Sequence, residues 1–173
     1  DTERRQKKKI FQQNAESPPP KEALEARSAL LGGYLDLQQG GRPVLLILCG
    51  VQGSGKSTFC QQLLGEQERN NYDGHWVHLS QDTINKGKPG KREKVEEEAR
   101  AALERGHSVV VDRMHLDPEQ RGYFVQVAKS AQVPAHVVLL NPPREVIAKR
   151  VRERTNHPGK VQGDDGARRA LQS

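Results

Sequence analysis

A chain of 173 residues is long enough for one domain and short for two. Apolar residues make up only 34% and charged residues 29%, with a net charge of +6, so a packed core cannot extend evenly from end to end. No apolar run approaches the roughly 18–20 residues of a membrane-spanning helix, and two cysteines without a CxxC pair exclude a disulfide scaffold. Residues 1–20 carry the basic run RRQKKK and end in three prolines, which predicts a solvated arm. Over 21–41, Leu24, Leu30, Leu31, Tyr34 and Leu37 suit an amphipathic helix leading into the domain, stopped by Gly40-Gly41-Arg42-Pro43. Strand and helix then alternate through 42–155. Val44–Cys49 reads as a strand dry on both faces, Lys56–Leu64 as a helix and His75–Leu79 as a short strand. Arg92–Arg105 reads as a helix closed by Gly106, and Ser108–Val111 as a second dry strand. Asp117 caps a helix with Pro118 in its first turn, running to about Ala131. Ala135–Leu140 is a further apolar strand, followed by a helix over 143–154. The last residues, 156–173, are polar and Gly-rich and read as a lid continuation or a mobile tail, with a short element over Ala167–Leu171. This order predicts an α/β fold with a mainly parallel sheet of about four to five strands and helices on both faces.

Directly after the first dry strand stands Gly50-Val51-Gln52-Gly53-Ser54-Gly55-Lys56-Ser57-Thr58, an unbroken GxxxxGK[ST]. Its glycines let the backbone fold into a nest of inward N–H groups, and the following helix adds its positive end. Lys56 would reach the β- and γ-phosphates and the Ser57 hydroxyl a magnesium ion. The strand-to-helix context is the one this motif needs, so a P-loop NTPase of the kinase type is expected, with ATP and Mg2+.

No NKxD guanine-reading element accompanies the loop, and the chain is short for a motor. Asp82 instead follows the second strand, where strand ends of a parallel sheet face the ligand crevice. A carboxylate there can take the proton of an attacking hydroxyl, or merely cap a turn. Asp112 ends the third strand in the apolar-then-acid manner of a Walker B element. It can hold magnesium, or orient Lys56 or Arg113, or cap a turn. Arg150 and Arg154 stand one helical turn apart, suited to a lid over the phosphates or to a solvated surface. Five histidines (His75, His78, His107, His136 and His157) lack metal-ligand spacing, and Cys49 and Cys60 read as packing residues.

Together, GVQGSGKST, QDT, VVVDRMHLDPEQR and AKRVRER resemble the polynucleotide 5′-hydroxyl kinases of the P-loop superfamily, over residues 44–155. The resemblance extends to the phage-type enzyme and to the kinase domain of polynucleotide kinase/phosphatases. QDTINKGKPGK with DRMHLDPEQR also resembles the kinase module fused to aprataxin-like proteins in plants. It implies Asp82 as general base, Lys56 and Ser57 on the triphosphate and metal, Arg150 and Arg154 as lid arginines, and Asp112 near the metal or acceptor. Two positions depart from the pattern. Asn85 stands where the phage-type enzyme has an arginine, with Lys86, Lys88 and Arg113 as substitutes, and His115, expected to bind the acceptor with Asp112 and Arg113, stands where relatives carry Asn.

The expected activity is ATP-dependent phosphoryl transfer to the 5′-hydroxyl of a nucleic-acid end. A small-molecule kinase of the gluconate or shikimate type and a non-catalytic nucleotide- or nucleic-acid-binding adaptor are the alternatives. Five cations against one acid between Lys86 and Lys94 favour a polyanion, with Lys86, Lys88, Lys91 and Arg92 as the lip of its channel. The first residue, Asp1, predicts a piece of a longer multidomain chain. A monomer without membrane partners, in a reducing nuclear or cytoplasmic compartment, completes the expectation.

Overall fold

Five consecutive apolar residues, Leu45–Cys49, form β1, and all five are buried. That burial on both faces requires neighbours on both sides. In the computed structural model, which describes residues 42–70, 75–153 and 163–172, β1 pairs in parallel with two strands. The described elements continue as α1 (Lys56–Asn70), β2 (Trp76–Ser80), α2 (Arg92–Glu104), β3 (Ser108–Asp112), α3 (Pro118–Ser130), β4 (Ala135–Leu139), α4 (Arg144–Glu153) and α5 (Gly163–Gln172). The sheet order is β2-β3-β1-β4, every pairing parallel. The expected α/β fold with four parallel strands is therefore present. The arm over 1–20 and the helix over 21–41 lie outside the described residues.

Strand alternation sorts the core. Leu45, Ile47, Leu79, Val109 and Val111 face α2 and α3, where Val95, Ala99, Ala102, Leu103, Phe124, Val127 and Ala128 meet them. The buried residues of α2 fall at i, i+4, i+7 and i+8, one helical stripe. Residues of opposite parity, His78 and Asp112 among them, face α1. Leu46 on that side is fully buried, so Leu46→Ala should cost about 2–5 kcal/mol through lost transfer energy and a cavity.

Local signals set the ends. The Asp117 side chain accepts from the Glu119 N–H at 2.9 Å with Pro118 behind it, as the sequence implied. The short element expected over Ala167–Leu171 is longer than the sequence suggested: α5 is a helix of ten residues. Small residues Ala167 and Ala170 let it lie against Ile147, Ala148 and Val151 of α4. The two helices are also tied by Arg152 to Asp164 at 2.9 Å and by Arg144 to the Leu171 carbonyl at 2.6 Å. No helix among the described residues is long and apolar enough to cross a membrane.

Candidate active site

Side by side in the sheet, β1 and β3 end in the phosphate-binding loop and in Asp112, and β2 leads into Asp82. The loop is wedged tightly between its neighbours. Gly53 has φ +88°, and a Cβ there would stand 2.8 Å from Val151 Cγ2, so only glycine allows α4 to close against the loop. Gly50 donates its N–H to the Met114 carbonyl at 2.9 Å, tying the loop's start to the segment after β3.

Lys56 is buried, and its Nζ donates to the Gly50 and Val51 carbonyls at 2.9 Å each. The ammonium is thus folded over the nest that phosphate oxygens would occupy. Ser57 Oγ donates to Asp112 Oδ2 at 2.8 Å, joining the first turn of α1 to the end of β3. The same carboxylate oxygen lies 3.3 Å from His78 Nε2. Burial opposes the Asp112 charge, but the bonds from His78 and Ser57 outweigh it and hold the carboxyl below the usual range. Asp112 is therefore an anion at neutral pH.

A cavity of about 360 Å3 opens over these groups. Lys56, Ser57 and Thr58 line it from the loop side, with Gln52, Gly53 and Gly55; Asp82, Asp112 and Arg113 line it from the strand ends. Gly50, Val51 and Ser54 build the loop without lining the cavity. Arg150 stands behind it, with Nη1 3.5 Å from the Gly53 carbonyl, and Arg154 lies outside the described residues. Lys86 and Lys88 are exposed on a tight turn closed by Asn85 and Lys88, and neither lines the cavity. Arg92, expected at a channel lip, is engaged elsewhere. Its guanidinium covers the Tyr123 ring at 3.6 Å and pairs with Glu93 and Glu96.

His115 requires a correction as an acceptor-binding residue, because it has no exposed surface. Its Nδ1 donates to the Leu48 carbonyl at 2.9 Å, and its ring meets Phe124 edge-on at 5.2 Å. Its carbonyl accepts from Arg121 at 2.6 Å and from the Cys49 thiol at 3.3 Å. Burial, with Arg113 and Arg121 nearby, lowers the ring's pKa below the ordinary value. This side chain braces β1 from beneath and does not line the cavity.

The structure also gathers residues to which the sequence assigned no role. Gln81, Met114 and Gln120 line the same cavity, and the Gln81 Oε1 is buried without a hydrogen-bond partner. His78 approaches Asp112 from β2, and Cys60 comes up beside both from α1. Burial first, then the Asp112 charge, pushes the Cys60 thiol far up, which keeps it protonated.

A parallel sheet with this loop after β1 and a buried acid at the end of β3 defines a P-loop, kinase-like nucleotide-binding domain. The chain belongs to the AAA domain family, which it matches over residues 45–172. It is 35% identical over 126 residues to a protein of Arabidopsis thaliana named transcription factor bHLH140. The match covers 73% of this chain and 13% of that protein, so the chain spans only a small part of its relative's length. Among solved structures it is similar to the Pnkp1/Rnl/Hen1 complex, with a TM-score of 0.51, 22% identity, and coverage of 71% of this chain and 44% of that one. It is likewise similar to the Mycobacterium tuberculosis APS kinase CysC bound to AMPPNP and APS, with a TM-score of 0.51, 16% identity and coverage of 76% and 96%. Chaetomium thermophilum Kti12 bound to ADP-AlF3 gives 0.50, 20%, 73% and 78% in the same order. At these identities the structural likenesses show the fold alone.

Proposed function

We propose that this chain is an ATP-dependent kinase that phosphorylates the 5′-hydroxyl of a nucleic-acid end. The observation that carries the reading is the placement of Asp82 in the same cavity as Lys56, Ser57 and Asp112. A free carboxylate opposite a phosphate nest is the arrangement that hydroxyl-to-phosphate transfer requires.

Hard oxygen donors, the Ser57 hydroxyl and the ionised Asp112 carboxylate, meet at the cavity wall and fit magnesium, which these two residues would hold. When bound, it would supply neutralisation of the charge on the phosphates. Lys56 trades its two loop carbonyls for phosphate oxygens as the nucleotide enters, and loop N–H groups hold the β-phosphate. Asp82 accepts the proton of the acceptor hydroxyl as its oxygen bonds to the γ-phosphorus and the bond to the β-phosphate oxygen breaks. Arg113, on the acceptor side of the same cavity, pairs with the phosphate next to the attacking hydroxyl. Arg150, behind the loop at the Gly53 carbonyl, neutralises charge spreading over the transferring group.

A nucleic-acid acceptor, rather than a sugar or small alcohol, is supported by the exposed lysines beyond Asp82: Lys86, Lys88, Lys91 and Lys94. Each phosphate neutralised on a single strand contributes a slope of about −0.7 in log affinity against log salt. Two to four contacts predict a total of roughly −1.5 to −3 for a 5′-hydroxyl oligonucleotide. Charge reversal at Lys88 and Lys91 flattens that slope and leaves ATP affinity unchanged; identical slopes for wild type and variant would remove the channel.

A further inference from the structure

Three donor atoms from three different elements converge on the inner side of Asp112. Cys60 Sγ comes from α1, His78 Nε2 from β2 and a carboxylate oxygen from Asp112 at the end of β3, all within 4.8 Å of one another. Strand parity explains the convergence. His78 and Asp112 occupy the sheet face that α1 covers, and the register His78↔Val110 and Ser80↔Asp112 sets them two residue pairs apart on neighbouring strands, on the same face. Cys60 lies one helical turn beyond Ser57, so α1 presents both side chains to the same carboxylate.

We infer that Cys60, His78 and Asp112 form a binding site for a thiophilic divalent cation of the zinc class, distinct from the magnesium position on Ser57. A thiolate, an imidazole and one carboxylate make a donor set that suits zinc and does not suit magnesium. Tetrahedral zinc with bonds of about 2.0–2.3 Å spaces its donors roughly 3.3–3.8 Å apart. His78 Nε2 and Asp112 Oδ2 already stand at 3.3 Å, and the thiol needs a shift of only about 1 Å to complete the set. The His78 side chain is 29% exposed, which gives the ion an entry path and leaves its fourth position to water.

Binding balances simply. Cys60 releases its thiol proton to solvent and becomes the thiolate ligand. His78 gives up the bond from its Nε2 to Asp112: the ring's proton moves to Nδ1 through solvent, and the Nε2 lone pair turns to the ion. Asp112 is already a carboxylate, and it turns from the Ser57 hydroxyl to the new ion. The magnesium position then loses its acidic ligand, so zinc acts as an antagonist of metal-dependent phosphoryl transfer. That last consequence rests on the kinase reading; occupancy of the site does not.

Titration of the whole chain with Co2+ tests occupancy without reference to activity. One equivalent should produce the thiolate-to-cobalt charge-transfer band and the visible bands of a four-coordinate ion, both abolished by adding Zn2+. Cys60→Ala should remove the charge-transfer band, whereas Cys49→Ala should retain it. His78→Ala should weaken binding by more than the roughly 10–100-fold that loss of a mere outer partner costs. Circular dichroism of each variant separates lost binding from lost fold, with Cys60→Ser as the second substitution at the thiol. A missing band in folded wild type, or a band unaltered in Cys60→Ala, would overturn the site. In the transfer assay, Zn2+ should inhibit wild type and spare Cys60→Ala at an unchanged basal rate; equal inhibition of both would overturn the antagonism while the cobalt band stood.

Discussion

Ser57 and Asp112, fifty-five positions apart in sequence, share a hydrogen bond of 2.8 Å that joins the phosphate-binding loop to the end of β3. This bond couples two things that single-residue motifs leave separate. It fixes the first turn of α1 on the sheet, and it sets the hydroxyl and the carboxylate where one cation can meet both. Asp112→Asn should preserve the fold, since the amide oxygen still accepts from Ser57, while removing the charge. Transfer should fall roughly 10²–10³-fold, the size typical of losing one preorganised electrostatic contact, and the Mg2+ concentration for half-maximal rate should rise. A magnesium titration with unchanged midpoint and rate would contradict the assignment.

Lys56 is the group whose removal should touch binding and chemistry together. Lys56→Ala leaves two loop carbonyls without their buried cation and the phosphates without their counter-charge. Calorimetric titration with ATP and Mg2+ should show affinity weakened by at least tenfold, alongside lost transfer. Wild-type affinity in the variant would show that the ammonium does not meet the nucleotide.

The strands and the loop were legible in the sequence because each answers to a local rule. Leu45–Cys49 and Val109–Val111 are unbroken apolar runs, as strands buried on both faces must be, and GVQGSGKS needs no tertiary information. Asp117 and Pro118 marked the start of α3 for the same reason. What escaped depends on sheet order. His78 looks like any histidine in HWVHL until β2 is known to lie beside β3, and Cys60 gains meaning only once α1 covers that face. His115 was expected at the acceptor because it occupies the position where relatives carry a hydrogen-bonding Asn. Its bond to the Leu48 carbonyl, which lets a polar ring lie under β1, joins residues 67 apart. The helix over Gly163–Gln172 was underread because its apolar stripe is only alanine, adequate against α4 but faint in a polar segment.

The buried His115 ring should leave a signature in the pH dependence of stability. The folded ring is held neutral below the ordinary value of 6.5, whereas in the unfolded chain it takes a proton near that value. Between the two values the unfolded state binds more protons, so stability is complete above about pH 6.5 and falls as pH drops toward the folded value. Thermal melts from pH 7.5 to 5.5 should therefore decline more steeply for wild type than for His115→Asn, which keeps a donor for Leu48. Parallel declines would show that His115 does not carry this dependence.

Asp82 carries the central claim, because it alone turns a nucleotide-binding cavity into a site for transfer to a hydroxyl. The direct measurement is transfer of γ-labelled phosphate from ATP to a 5′-hydroxyl oligonucleotide, beside the same strand already 5′-phosphorylated and a panel of small alcohols and sugars. Wild type should label only the 5′-hydroxyl strand. Asp82→Ala should lose roughly 10²–10⁴-fold in rate, the usual cost of a missing general base, with ATP affinity intact. Labelling of a small alcohol in place of the oligonucleotide, or turnover by Asp82→Ala within a few-fold of wild type, would contradict the account.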